Sequence, residues 1–409
     1  MPTLKAAPVA ASGAVALAWG VNFTARMAQG TVDFPGKRPI KWRSGKECVK
    51  TRLSGKILAT IVIVAIAAAT GGWHEALAGA WLRLTVRRKV DHYSSAPLYD
   101  GKVHLFFCGT GSSGVNPARA QDCIAIMAGG SLVIFNAGDG SSERAEIAGL
   151  PLGDLSGIFL TDLGSNHIGD LGQFAETSWR DGRVTPLTVY GPTGTSQVVA
   201  GFDQAYGLSV KFRAAHANEV NLPADNALPS AHEIKVAGAA LEPVWQAGGL
   251  RVAAFLEDHL PVKPALGYRV TYRDQVVVIA GETRPNQNLE RNAHGANVLI
   301  VSVYQAAAAD RLARAYDQEF GADARPGSRD LSRNLRSLQD FESSMAEAGQ
   351  EATDADAHML IVTCPTPDPG SGFASWLLGG WYLHPAKRTF TGPVRLAEDG
   401  MRLTLTPNH

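Results

Sequence analysis

Between Phe159 and Asp170 the chain reads FLTDLGSNHIGD, which puts a carboxylate at Asp162, an amide at Asn166 and an imidazole at His167 directly after an apolar run. Side chains of these kinds hold zinc or move protons when a fold brings them together. Farther along stand His259 in LEDHLP, Glu282 in AGETRP, Glu342 in DFESS and Cys364 in VTCP. Taken singly, each has a plainer use. His167 caps the helix that starts at Ile168, His259 packs beside the Pro261 turn, and Cys364 is a small buried residue ahead of Pro365.

The elements that must position these residues begin near Lys102, where strand-like apolar runs alternate with helical and turn segments in a layered α/β pattern. Strands are expected at 103–107, 123–127, 132–135, 157–161, 187–190, 250–255, 267–272, 275–280, 297–303 and 359–363, several bounded by Gly, Asp or Asn. Helices are expected at Thr195 to Tyr206, Pro285 to Ala293, Gln305 to Phe320 and Ser343 to Thr353. Asp274-Gln275 marks a tight hairpin, and VRLAEDGMRLTLT pairs two further strands around Asp399-Gly400. The stretch from Ala214 to Gly238, with Pro223 and Pro229 and little periodicity, reads as an irregular insertion of the sort that borders a cleft.

The 409 residues exceed one typical domain, and 45% hydrophobic with 19% charged residues describes an ordinary folded protein. Thirty-eight basic against 38 acidic side chains create no global field to capture a polyanion, so net charge gives nucleic-acid binding no support. The neutral total hides a basic cluster from Lys37 to Lys56, followed by the apolar run ILATIVIVAIAAA from Ile57 to Ala69. With no polar face at helical spacing, and a length near the limit for a hydrocarbon core of about 30 Å, that run predicts a transmembrane or signal-anchor helix. The expected organisation is a disordered leader over 1–56, the anchor over 57–81, a linker over 82–101 and a folded domain over 102–409. The larger basic charge before the run puts the N-terminus inside, which makes a single-pass inner-membrane protein with a periplasmic C-terminal domain. Cleavage after Ala76-Leu77-Ala78 and secretion is the alternative. Four cysteines are too few for a disulfide scaffold, although Cys108 and Cys123 lie near facing ends of successive strands and read equally as a disulfide or as two buried thiols.

Several ordered motifs from about His104 onward resemble the metallo-β-lactamase superfamily, in its ribonuclease Z and arylsulfatase branch. They are CGTGSSGVNPARAQDC, LVIFNAGDGSSERAEIAGL, FLTDLGSNHIGDLG, YGPTGTSQVVAGFDQAY, AFLEDHLPVKPALGYRV, VVVIAGETRPNQNLERNAHGANVLI, FESSMAEAG and MLIVTCP. The resemblance implies a four-layer αββα sandwich. It also implies a metal centre in which Asp162, Gly164, His259 and Glu282 stand at the first zinc site, and Asn166, His167, Glu282 and Cys364 at the second. In the family these places hold histidines and aspartates, with a shared bridging Asp where this chain has Glu282. Gly164 supplies no ligand atom, and Asn166 replaces the carboxylate that orients the attacking hydroxide.

Glu342 stands where the family has the histidine that protonates a leaving oxygen, Asn136 where it has Asp, and Val301-Ser302 where it has His-Glu. His216, in RAAHANEV, resembles a substrate-side histidine of the branch. The resemblance therefore implies at most one zinc ion, held by His167, Glu282 and Cys364, or none. Two functional classes follow, while a third, a tRNA-processing ribonuclease, calls for a cytoplasmic protein with a basic substrate arm, and neither is visible in the sequence. The first is a pseudoenzyme whose cleft binds a small-molecule ester or a protein. The other is a divergent single-metal hydrolase of phosphodiester, sulfate or related esters, with Glu342 as its acid and Asn166 at the hydroxide position.

Overall fold

The apolar runs fold as strands because their β-branched and aromatic side chains have two faces to fill, one between two sheets and one beneath helices. The structure is a computed structural model, and it describes residues 60, 62, 64, 72–92, 94–114, 116–216, 223–320, 326–370 and 373–408. Its strands are β1 (Val103–Gly109), β2 (Cys123–Ala128), β3 (Ser131–Phe135), β4 (Leu155–Phe159), β5 (Thr188–Gly191), β6 (Ser230–Glu233), β7 (Glu242–Ala247), β8 (Leu250–Glu257), β9 (Ala265–Tyr272), β10 (Gln275–Ile279), β11 (Val298–Tyr304), β12 (Ser343–Ser344), β13 (Leu360–Thr366), β14 (Val394–Leu396) and β15 (Arg402–Leu405). The helices are α1 (Gly72–His92), α2 (Ala96–Tyr99), α3 (Ser141–Ile147), α4 (Ser165–Ile168), α5 (Leu171–Arg180), α6 (Thr195–His216), α7 (Gln287–Ala293), α8 (Ala306–Phe320), α9 (Pro326–Ser337), α10 (Met345–Asp354) and α11 (Phe373–Thr389).

One sheet runs β15-β1-β2-β3-β4-β5-β6 and the other β14-β13-β11-β10-β9-β8-β7, with β12 beside β11. Alternate residues of both sheets meet in one core: Phe107, Ile126, Phe135 and Phe159 face Val252, Tyr268, Val277 and Ile300. The Phe159 ring sits between Phe135 at 5.2 Å and Tyr190 at 4.8 Å. Each such buried side chain contributes about 1.5–3 kcal/mol. The other face of the first sheet packs on Leu171, Phe174 and Val199, and that of the second on Leu289, Met345 and Tyr382. Helix, sheet, sheet and helix give the expected four-layer αββα sandwich.

Three expectations need correction. The closing segment does not pair with itself: β14 joins β13 in one sheet and β15 joins β1 in the other, so Asp399-Gly400 lies in a crossing between sheets. Ala214 to Gly238 is only partly irregular, because α6 runs through Ala214 to His216 and Ser230–Glu233 adds β6 to the edge of the first sheet.

The membrane anchor is the third. The run from Ile57 to Ala69 lies largely outside the described residues, and among the described residues no helix is long and apolar enough to cross a membrane. The end of the expected anchor and the start of the expected linker belong to α1, which carries Arg83, Arg87, Arg88 and Lys89. The single-pass inner-membrane topology with a periplasmic domain, and its secreted alternative, therefore have no spanning helix to rest on among the described residues. By contact the chain divides into the units Met1–Ala78 and Gly79–His409, and the sandwich belongs to the second.

Candidate functional site

The residues singled out by type converge where parallel strands of both sheets end, the usual place for a site in layered α/β folds. Asn136 follows β3 at φ 58°, and Thr161 and Asp162 follow β4. Glu282 follows β10 through Gly281, whose φ of 68° and ideal Cβ position 3.0 Å from the Thr161 side chain leave room only for glycine. Cys364 lies within β13 at φ 47°, where the register with β11 shifts after Ser302. A bulge of this kind re-aims a side chain.

His167 is fully buried, with three carboxylates around its ring. Asp162 Oδ2 is 2.7 Å from Nδ1, while Nε2 has Glu282 Oε1 and Asp122 Oδ2 each at 3.8 Å. At 2.7 Å the Asp162 contact is an ion pair when the ring is protonated. Burial alone would lower the pKa of the ring, but Asp162, then Glu282 and Asp122, push it up to about 10. Burial opposes ionisation of Asp162 as well, yet His167 and the Gly164 amide hold it at about 2.

His259 repeats the arrangement. Its Nε2 is 3.3 Å from Glu282 Oε2 and its Nδ1 donates to the Phe341 carbonyl at 2.9 Å. These contacts outweigh burial and raise its pKa. Asn166 donates its amide to Glu282 Oε1 at 3.0 Å and touches His167 Nε2 at the same distance. Asp162 with His167 and Glu282 with His259 thus make two ion pairs, joined by Asn166.

The remaining groups stay closer to neutral. Burial, then the charge of Glu282, raises the Glu342 carboxyl well above its ordinary range, and its Oε2 has no partner. Burial, followed by Asp122 and Glu282, raises the Cys364 thiol. Asp122, raised by burial, accepts a bond from Asn136 at 2.5 Å, and Asn136 in turn takes the Thr161 amide at 2.9 Å. Sequence reasoning missed Asp122. It ends the loop before Cys123, and its only local signal is an acidic residue against a strand that is buried along its whole length.

Val301 packs into the outer core of the second sheet. Ser302 is buried beside Cys364, with its hydroxyl lacking a hydrogen-bond partner by distance and angle. His216 is exposed at the end of α6 and takes no part in the cluster.

The donors present do not match a two-zinc centre. The ideal Cβ position of Gly164 lies 2.8 Å from Asn166 Oδ1 and 3.0 Å from Asp162 Oδ1, so those side chains occupy the space an imidazole there would need. Among the described residues no group of three or more His, Cys, Asp and Glu is arranged to hold a metal ion.

A second buried network backs the cluster. Thr283 and Asn286 donate to Glu257 Oε2 at 3.0 and 2.7 Å, while Ser343 donates to the Thr283 carbonyl at 2.9 Å and to Glu351 Oε2 at 3.3 Å. It fixes the residues that follow Glu282 and Glu342. Burial first, despite the Ser343 bond, raises Glu351 to about 8. An acid whose folded pKa exceeds its unfolded value near 4.5 adds stability that is complete below 4.5 and is lost as pH rises through about 8. Glu351→Gln should therefore unfold at higher urea than the parent at pH 9, by several kcal/mol at about 1.4 kcal/mol per pKa unit. At pH 4 the difference should vanish. Urea titrations at the two pH values read this, and parallel curves would contradict it.

No family model matches the chain. Among curated proteins it is similar to ribonuclease Z of Mycolicibacterium paratuberculosis, 30% identical over 300 residues that cover 73% of this chain and 96% of the relative. It is equally similar to ribonuclease Z of Mycobacterium sp. strain KMS, 30% identical over 311 residues that cover 75% and 97%. Among solved structures, human tRNase Z, short form, superposes with a TM-score of 0.51 at 17% identity, over 74% of this chain and 100% of that one. That likeness is one of fold.

Proposed function

The chain belongs to the ribonuclease Z family, with its metallo-β-lactamase fold, and from that premise we propose that it is a member whose cleft serves binding while two-zinc hydrolysis has been lost. One observation carries this reading: Gly164 supplies no ligand atom, and the Asn166 and Asp162 side chains lie 2.8 and 3.0 Å from its ideal Cβ position, in the space an imidazole would need. Two-metal hydrolysis needs ions about 3.5–4 Å apart with room for a bound water, and Gly164, Asn166 and Glu282 supply neither the ligand set nor the spacing. The occupant of the cleft is a small-molecule ester or a protein segment.

The second reading is a hydrolase using a single zinc at His167, Glu282 and Cys364. What favours it is Glu342, a buried carboxyl with an unpartnered oxygen whose pKa burial raises well above the ordinary range, the direction a general acid needs. Hydrolysis of bis(4-nitrophenyl) phosphate and of RNA by the full chain, with and without added zinc, separates the two. The pseudoenzyme shows no zinc-dependent turnover above background. Turnover that requires zinc and disappears in both Cys364→Ala and Glu342→Gln would establish the single-metal hydrolase instead.

A further inference from the structure

On the outer face of β7, β8 and β9 lies a cavity of about 520 Å³. Cross-strand register builds its floor: Arg251 of β8 stands between Gln246 of β7 and Thr271 of β9, and the next row on that face places Ala253 between Pro243 and Arg269. The alternating residues Leu250, Val252, Tyr268 and Val270 fill the core between the sheets, so the two arginines project from the opposite face. They occupy diagonal positions, whose Cβ atoms in an antiparallel pair are about 7–8 Å apart or less.

Arg269 is half-buried and is held in place by Nη1, which donates to the Asn292 and His294 carbonyls at the end of α7. No Asp or Glu lines the cavity, and among the described residues neither Arg251 nor Arg269 has a carboxylate at ion-pair distance. Two guanidinium groups set diagonally in one concavity repel each other. An anion that bridges them removes that repulsion and gains charge-assisted hydrogen bonds, to which the planar guanidinium fork is well suited.

The volume exceeds what a bare oxyanion fills and lies within the range of about 300–1,000 Å³ typical of small-ligand pockets. Leu241, Pro243 and Ala253 add an apolar wall. We propose that this cavity binds an organic phosphate, with the phosphoryl group on Arg251 and Arg269, Gln246 and Thr271 as further hydrogen-bonding groups, and the uncharged remainder against Leu241 and Pro243. The site uses no residue of the cleft cluster, so either assignment can fail without the other.

Calorimetric titration of the full chain with phenyl phosphate, inorganic phosphate and phenol tests the assignment. Phenyl phosphate should bind saturably, inorganic phosphate more weakly, and phenol not measurably. Arg251→Gln should weaken phenyl phosphate about tenfold or more, and Arg251→Glu should abolish its binding. Arg251 is exposed, so both variants should keep the parent's unfolding midpoint. The proposal is overturned by the absence of saturable phenyl phosphate binding, by unchanged affinity in folded Arg251→Gln, or by inorganic phosphate binding as tightly as phenyl phosphate.

Discussion

Replacing His167 by alanine should lower the unfolding free energy by about 3–5 kcal/mol at pH 7, because removing one partner of a buried ion pair leaves the other charge without compensation. The stranded group is Asp162, 2% exposed and 2.7 Å from the lost ring. The pH dependence gives the effect a signature. Asp162 has a folded pKa near 2 against an ordinary 3.8, so its contribution is present above 3.8 and is lost as pH falls through about 2. His167 has a folded pKa near 10 against an ordinary 6.5, so its contribution is complete below 6.5 and is lost as pH rises through about 10.

The parent should therefore lose stability between pH 6.5 and 10 through this group, and His167→Ala should lack that slope. Urea titrations across the range, with and without a chelator, measure both features. The loss should be the same in the two conditions, since the partner of His167 is a carboxylate. A loss below about 1 kcal/mol, ordinary for a surface change, would contradict the pairing.

Replacing Cys108 and Cys123 together by alanine should cost about 3 kcal/mol, the chain-entropy value for a loop of this length. The two cysteines are joined in a disulfide across β1 and β2, 15 residues apart in sequence, with Cα atoms 5.0 Å apart. Both are wholly buried in the core beneath the first sheet. The loop they close is the glycine-containing segment that ends at Asp122, so the bridge also anchors one wall of the cluster. The urea midpoint of the double variant should fall below that of the oxidised parent and match that of the reduced parent. Equal midpoints for the oxidised parent and the double variant would show that the bridge contributes nothing.

Much of the sandwich is legible from residue order. The apolar runs at 103–107, 250–255 and 297–303 are strands because each has two faces to bury, and Ser343 to Thr353 holds a helix whose capping box joins Ser344 to Glu347. What misled was local likeness. The sequence around Asp399-Gly400 has every mark of a hairpin, yet β1 and β13 each offered an unfilled edge, and long-range pairing took its two strands to different sheets. The edge strands β6 and β7 are short and half-exposed, so little apolar alternation marks them.

The site divides in the same way. Motif order singled out Asp162, Asn166, His167, His259, Glu282, Glu342 and Cys364, which the structure brings into one largely buried cluster. Which carboxylate faces which imidazole depends on side-chain geometry across strands as far apart as β4 and β10, and no spacing encodes that. Asp122 escaped notice because its role arises only when β2 and β3 bring it to Asn136.

The proposed loss of two-zinc chemistry makes a direct demand on metal content. Zinc content of the purified full chain, equilibrated with zinc and then desalted, tests it most directly. Far less than one ion per chain should remain, with Cys364→Ala no different from the parent. Near-stoichiometric zinc that is lost in Cys364→Ala would contradict it.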